Sequence, residues 1–201
     1  MIPAASPVTL LLKGLFHLKR RREKMIDLPS GRQSYDYDCG VKALQLVMAY
    51  YGLDTPEGKL LKELKSDNNG TAVQNMIAVA EKRGFQTISR TDFTLDEVKL
   101  YVDKKHPVIV LLQAWAEKNM TLDDWRNSME HGHYVIVIGY QDNIMVFEDP
   151  SSFKKTWLTE EEFLVRWHDV DPKTKKRLEH FGLILLGKDP APIHKGMEHM
   201  N

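Results

Sequence analysis

The stretch Gln33-Ser34-Tyr35-Asp36-Tyr37-Asp38-Cys39-Gly40-Val41-Lys42-Ala43-Leu44-Gln45-Leu46-Val47-Met48-Ala49-Tyr50-Tyr51-Gly52 holds the only cysteine of the chain, at the start of a helical pattern. Val41, Leu44, Val47 and Met48 recur at helical spacing and predict a helix over about 38–51. Asp38 is of a type that caps helix N-termini, and Gly52 of a type that ends helices. Cys39 therefore falls in the first turn. There, backbone N–H groups without intrahelical partners and the positive end of the helix dipole favour an anion. The thiolate is the nucleophilic form of cysteine, so this is a place for a reactive sulfur. A free cysteine is otherwise a small buried hydrophobe, but Asp36, Asp38 and Gly40 make poor walls for an apolar pocket. Gly40 reads as room for a substrate backbone to approach.

Gln33 stands six residues ahead of Cys39 on an extended approach. Its uncharged amide can join the Cys39 backbone N–H in stabilising a tetrahedral oxyanion. Further on, His131-Gly132-His133-Tyr134-Val135-Ile136-Val137-Ile138-Gly139 opens a buried strand with histidine, and Asp149 closes the strand after it. A ring that titrates near neutrality at the edge of such a strand needs a polar partner, and Asp149 is the candidate. If His133 lies directly opposite Asp149, the turn centres on Gln141 and the loop has three or five residues. A two-residue loop would turn Asp149 to the other face and leave Glu148 as the partner.

Two other readings compete for the histidine segment. His131, His133 and Asp149 could ligate a metal, but the cysteine at the helix start would then be idle. His133 could instead be a satisfied structural histidine, which is the default for a lone ring. The combination with Cys39, Gln33 and Asp149 favours thiol chemistry, with no cofactor and no metal.

The rest of the chain sets limits. At 201 residues it is long enough for one domain with a full core. Its 28 basic and 28 acidic residues cancel, so no global field draws it to nucleic acid. A single cysteine excludes an internal disulfide. No apolar run approaches the ~20 residues that span a bilayer, and the expected location is cytoplasmic. Residues 1–25 form a basic N-terminal segment, 26–187 the domain and 188–201 a tail. In the first of these, the apolar run from Pro7 to Phe16 precedes Lys19-Arg20-Arg21-Arg22, the reverse of a secretory signal. A frayed start, with Met25 as an alternative initiator, is the preferred reading; residues 7–24 as a peripheral membrane contact are the sharper one.

Pattern reading places further helices from Thr55-Pro56, from Thr71 to Gly84, over 94–104 with Thr94 and Glu97 as a capping box, and over 159–167. Strands are expected over 85–89, 107–113, 133–140, 143–148 and 181–186. Helices first and antiparallel strands later make an α+β order. The polar stretch 113–132 reads either as a flap over a cleft or as a surface excursion with a short helix from Thr121.

Gln33, Cys39-Gly40 with the helix behind it, Gly132-His133-Tyr134-Val135-Ile136-Val137 and Asp149-Pro150 resemble, in order and spacing, the double-glycine leader peptidases. These are papain-like cysteine peptidases of the C39 family. The resemblance runs from about Ile26 to Leu186. It implies a papain-like cysteine peptidase fold, with the N-terminal nucleophile helix packed on an antiparallel β-sheet. It also implies Cys39 as nucleophile, His133 as general base and acid, Asp149 as its orienter and Gln33 as oxyanion donor. The implied partner is a peptide or protein substrate, cut after glycine or another small residue of a leader. A peptidyl transferase on the same site, and a peptide-binding module that no longer cuts, remain alternatives. Many members are parts of exporters, and this chain is expected to be a stand-alone member.

Overall fold

The helical pattern behind Cys39 becomes α1, Cys39–Tyr50, in the computed structural model, which describes residues 25–192. The apolar–basic stretch 7–24 lies outside the described residues. Ten of the twelve α1 residues are buried, on all sides of the helix, as expected of one at the centre of a domain. The elements that follow are α2 (Glu57–Leu64), α3 (Val73–Lys82), β1 (Gln86–Arg90), α4 (Leu95–Asp103) and β2 (Val108–Gln113). After them come α5 (Leu122–Asn127), β3 (Gly132–Gln141), β4 (Ile144–Glu148), β5 (Thr156–Thr159) and α6 (Glu160–Arg166). A short hairpin, β6 (His168–Val170) and β7 (Arg177–Glu179), precedes the last strand, β8 (Gly182–Leu186).

Six strands form one antiparallel sheet in the order β1-β8-β2-β3-β4-β5. Every residue of β2 is buried, which only a sheet covered on both faces allows. Helix α1 packs on β3, and α6 packs across β2, β4 and β5. Phe163 of α6 packs tilted against Phe147 at 5.6 Å and stacks on Trp167 at 4.5 Å, and the Trp167 indole N–H donates to the Phe181 carbonyl at 2.8 Å. The capping box predicted at Thr94 and Glu97 is present, and the same device starts α5 at Thr121 and α6 at Thr159. Helix α3 is capped from a distance: its first N–H, Val73, donates to the carboxylate of buried Asp171 at 3.1 Å. That bond ties the β6–β7 hairpin to the helical half of the molecule. Past β8, the Ala191 N–H donates to the Tyr50 carbonyl at the end of α1 at 2.9 Å. Among the described residues no helix is long and apolar enough to cross a membrane.

The register expected at the β3–β4 turn does not form. The loop is the two-residue pair Asp142-Asn143, with Gln141 paired to Ile144, and Asp142 in the left-handed region at φ 51°. That alone would have turned Asp149 away from His133. A bulge between Val137 and Gly139 inserts Ile138 and shifts the pairing by one, so Ile136 faces Glu148. Continued one step, the pairing sets Asp149 opposite Val135, on the face that Val135 shares with His133. Asp149 is thus a diagonal neighbour of His133 rather than its direct opposite. Glu148 goes to the other face, buried, with Oε2 lacking a hydrogen-bond partner.

Candidate active site

Three elements deliver three side chains to one place. Helix α1 supplies Cys39 as its first residue, β3 supplies His133 at its start, and Asp149 follows the last residue of β4. The His133 Nε2 and Asp149 Oδ1 atoms are 2.7 Å apart and both residues are buried. Cys39 lies close enough to the imidazole to act on its charge. Burial alone would lower the pKa of His133. The hydrogen bond to Asp149, the neighbouring Cys39 and the negative charges of both outweigh it and raise the value from 6.5 to about 9. Asp149 moves the opposite way. Burial pushes its carboxyl up, but the bond to His133, the imidazolium charge and the Ser151 N–H hold it below its usual range. The arrangement favours an imidazolium–carboxylate pair with the Cys39 sulfur nearby.

The Asp149 carboxylate is held on every side. Oδ1 also accepts the Ser151 N–H at 2.8 Å, while Oδ2 accepts the Trp115 indole N–H at 3.2 Å and the Thr156 hydroxyl at 3.3 Å. Trp115 belongs to the polar stretch 113–132, with φ at 62°, and is itself 59% exposed. A tryptophan left that open to solvent while its N–H is committed forms a partial roof over Asp149. Nothing local in the sequence marks this contact, because it depends on where the loop after β2 folds back. The same stretch brings Met129 and Glu130 to a cavity of about 600 Å³ that Cys39, Gly70, Thr71, Gly132, Tyr134 and Asp169 also line. The stretch therefore lines the cleft, and it also contains the short helix expected from Thr121.

Cys39 is only 8% exposed, so the thiol is both a buried group and a wall of the cavity. Gly40 serves a different end from the one expected. A Cβ placed there would stand 2.7 Å from the Thr71 Cβ and 2.9 Å from the Tyr134 Cδ2. Glycine lets α1 close onto protein, not onto a substrate. We expect Gly40→Ala to be destabilising by about 1–3 kcal/mol through overpacking. That exceeds the gain of up to about 1 kcal/mol from replacing glycine in a helix. Urea unfolding checks the sign; a stabilised variant would show that Thr71 and Tyr134 give way freely.

Gln33 stands apart from this trio. Its backbone N–H donates to the Pro150 carbonyl at 2.9 Å, and its Oε1 accepts the Ser151 hydroxyl at 3.0 Å. Its Nε2 donates to the Tyr35 carbonyl at 2.8 Å. It lines a neighbouring depression with Arg32, Tyr35, Trp115 and Ser151, and its side-chain hydrogen bonds go to Tyr35 and Ser151, not to Cys39. Gln33 is thus joined to the Asp149 loop more directly than to the thiol. Asp38 occupies the N-cap position but makes no side-chain cap. His131 packs edge-on against Trp125 at 5.8 Å, and among the described residues no group of three His, Cys, Asp or Glu side chains is placed to hold a metal.

A helix presenting cysteine against an antiparallel sheet, with histidine near the start of one strand and aspartate just past the end of the next, defines a papain-like α+β domain. The chain belongs to the peptidase C39 family, whose model matches residues 27–171. It is 25% identical to the peptidase domain of Streptococcus ComA, a bifunctional ABC transporter involved in quorum sensing, with a TM-score of 0.57 over 80% of this chain and 97% of that one. It also shares the fold of a C39-like peptidase from Bacillus anthracis, with a TM-score of 0.63 at 16% identity, over 82% of this chain and 98% of that one. Among curated proteins it is 24% identical, over 138 residues, to the sublancin-168-processing and transport ATP-binding protein SunT of Bacillus subtilis. That match takes in 66% of this chain but only 17% of the length of SunT.

Proposed function

We propose that this protein is a thiol peptidase that cleaves a peptide bond after glycine or another small residue of a leader, through an acyl-enzyme. The observation that carries the reading is the Asp149–His133–Cys39 chain of contacts, closed by the 2.7 Å bond between carboxylate and imidazole. In this reading the Cys39 sulfur, as thiolate beside imidazolium, attacks the carbonyl carbon of the scissile bond. His133 then gives its proton to the leaving amine, and water released to His133 as base hydrolyses the thioester. Asp149 keeps the ring in its orientation and balances its charge, as the acid of a triad does. The oxyanion is met by the unpaired N–H groups of the first α1 turn and by the second hydrogen of the Gln33 amide. Gly70, Thr71 and Gly132 give the cavity beside Cys39 small walls, which suit an extended backbone with small side chains. The leader preference comes from the relatives, SunT being a sublancin-processing protein by name.

Two measurements test this. Iodoacetamide should label Cys39 near neutral pH well ahead of free cysteine, and a peptide library containing Gly-Gly and Gly-Ala leaders should yield new C-termini by mass spectrometry. Labelling no faster than free cysteine would remove the activated sulfur. Products that carry an added amine in place of water would make the protein a transferase.

A further inference from the structure

The N-cap position of α1 holds a carboxylate that does not cap. Asp38 has no exposed surface, and its side chain turns back along the chain instead of onto the helix. Its Oδ1 accepts the Tyr35 N–H at 3.1 Å and its Oδ2 the Ser34 N–H at 3.3 Å, while its own N–H donates to the Tyr35 carbonyl at 3.4 Å. The Tyr35 residue is therefore gripped on both its donor and its acceptor side by Asp38. The Gln33 Nε2 donates to that same Tyr35 carbonyl at 2.8 Å. Behind this turn, Glu57 of α2 accepts the Ser34 N–H at 3.2 Å and pairs with Lys42 of α1. Lys42 also donates to Gln45 at 2.7 Å, and the Gln45 amide donates to the Thr55 carbonyl at 2.7 Å. The Glu57 carboxylate thus lies beside the Asp38 carboxyl, with both accepting the Ser34 N–H. Burial and the neighbouring Glu57 raise the Asp38 pKa above the usual carboxylate range.

We propose that Asp38 is a positioning residue that sets the Gln33 amide by way of the Tyr35 peptide, with Glu57 and Lys42 bracing it from α2 and α1. Capping the helix directly is the ordinary role of aspartate at this position, but the Asp38 backbone, at φ -103° and ψ 19°, is not extended as a cap requires. Its bonds go instead to the two peptide groups that follow Gln33. One Gln33 hydrogen is fixed on the Tyr35 carbonyl, which orients the amide plane and so its second hydrogen. The Cys39 sulfur is not touched by this network, so Asp38 acts on the amide and not on the thiol. The inference rests on the oxyanion role assigned to Gln33 above.

A double-mutant cycle on the full chain tests it. Asp38→Ala should lower kcat by roughly 10²-fold, the scale of a displaced catalytic group, with KM and the iodoacetamide rate at Cys39 nearly unchanged. In a Gln33→Ala background the same substitution should cost little more. Asp38→Asn, which keeps an acceptor for the Ser34 or Tyr35 N–H, should recover most of the loss and serves if the alanine variant does not fold. Losses that multiply across the cycle, or that fall on KM, would overturn the proposal. Hydrogen exchange separates this result from a failure of the peptidase reading, since it needs no substrate. Asp38→Ala should speed exchange at the Ser34 and Tyr35 amides at least tenfold while Leu44 and Val47 within α1 stay protected. Unchanged exchange at those two amides would overturn the positioning role even in a protein that cuts nothing.

Discussion

Cys39→Ala is expected to reduce peptide cleavage by roughly 10⁶-fold, the loss seen when the nucleophile of a triad is removed, and to leave the fold standing. The residue is small, opens α1 and forms part of the cavity wall, so alanine fits without a clash. Losing the sulfur from a site 8% exposed should cost about 1 kcal/mol of stability. A large loss of activity with a small change in urea midpoint is thus the signature of a chemical role. The imidazole offers a second readout. Burial works to lower the pKa of His133, and Cys39 stands with Asp149 among the groups that raise it to about 9. In the alanine variant, nuclear magnetic resonance titration should therefore find His133 below its wild-type value. Cys39→Ser, whose hydroxyl stays neutral, should move the ring in the same direction. An imidazole that titrates as in wild type would mean that sulfur and ring do not interact.

How the sequence led to this site, and where it stopped short, follows from the range of the forces involved. Helix α1 and strand β2 were legible because their burial writes itself into local patterns: apolar residues at helical spacing in one, an unbroken Val108–Leu112 run in the other. The capping box at Thr94 and Glu97 spans four residues, and a local signal was enough for it as well. Strands β5, β6 and β7 were not legible. They are three or four residues long, and their half-exposed positions carry neither clean alternation nor a continuous apolar run. The pairing of His133 with Asp149 was foreseen, but by the wrong register. The turn chemistry of Asp142-Asn143 is visible in sequence, whereas the Ile138 bulge that compensates for it answers to packing: a Cβ at Gly139, next to the bulge, would sit 2.7 Å from the Met25 Cγ. Gly40 shows the same limit. Its freedom from side-chain bulk was visible, but its neighbours Thr71 and Tyr134 come from distant parts of the chain. The bond of Trp115 to Asp149 and those of Asp38 to the Ser34 and Tyr35 N–H groups are individual contacts, and no periodicity encodes them.

Asp149→Ala should be the most pH-sensitive variant of the protein, in both stability and activity. His133 has its pKa raised from 6.5 to about 9 in the folded state. A raised folded value means that the stabilisation is fully present below pH 6.5 and is lost as pH rises through about 9. The displacement corresponds to about 3 kcal/mol at 1.36 kcal/mol per unit. Asp149, with its pKa held below 3.8, contributes stability that is present above that value and lost as pH falls through its folded-state pKa. The pair is therefore at full strength between about pH 4 and 6.5. Removing the carboxylate takes the partner from a buried ring, which must then stay charged without it or give up its proton, and strips Trp115, Thr156 and the Ser151 N–H of their acceptor; this should cost about 3–5 kcal/mol near pH 6. Near pH 10 the wild-type ring is already neutral, so the difference between the two proteins should shrink by about 3 kcal/mol. Urea unfolding at the two pH values measures this directly. Activity should fall by roughly 10²- to 10⁴-fold. The alkaline limb of kcat/KM, expected near 9 in wild type, should move to lower pH as burial takes control of the unpaired ring. Asp149→Asn keeps the shape of the side chain and separates packing from charge: it should restore most of the stability at pH 10 and little of it at pH 6. A stability deficit equal at both pH values would assign Asp149 a packing role alone and remove the ion pair from the proposed mechanism.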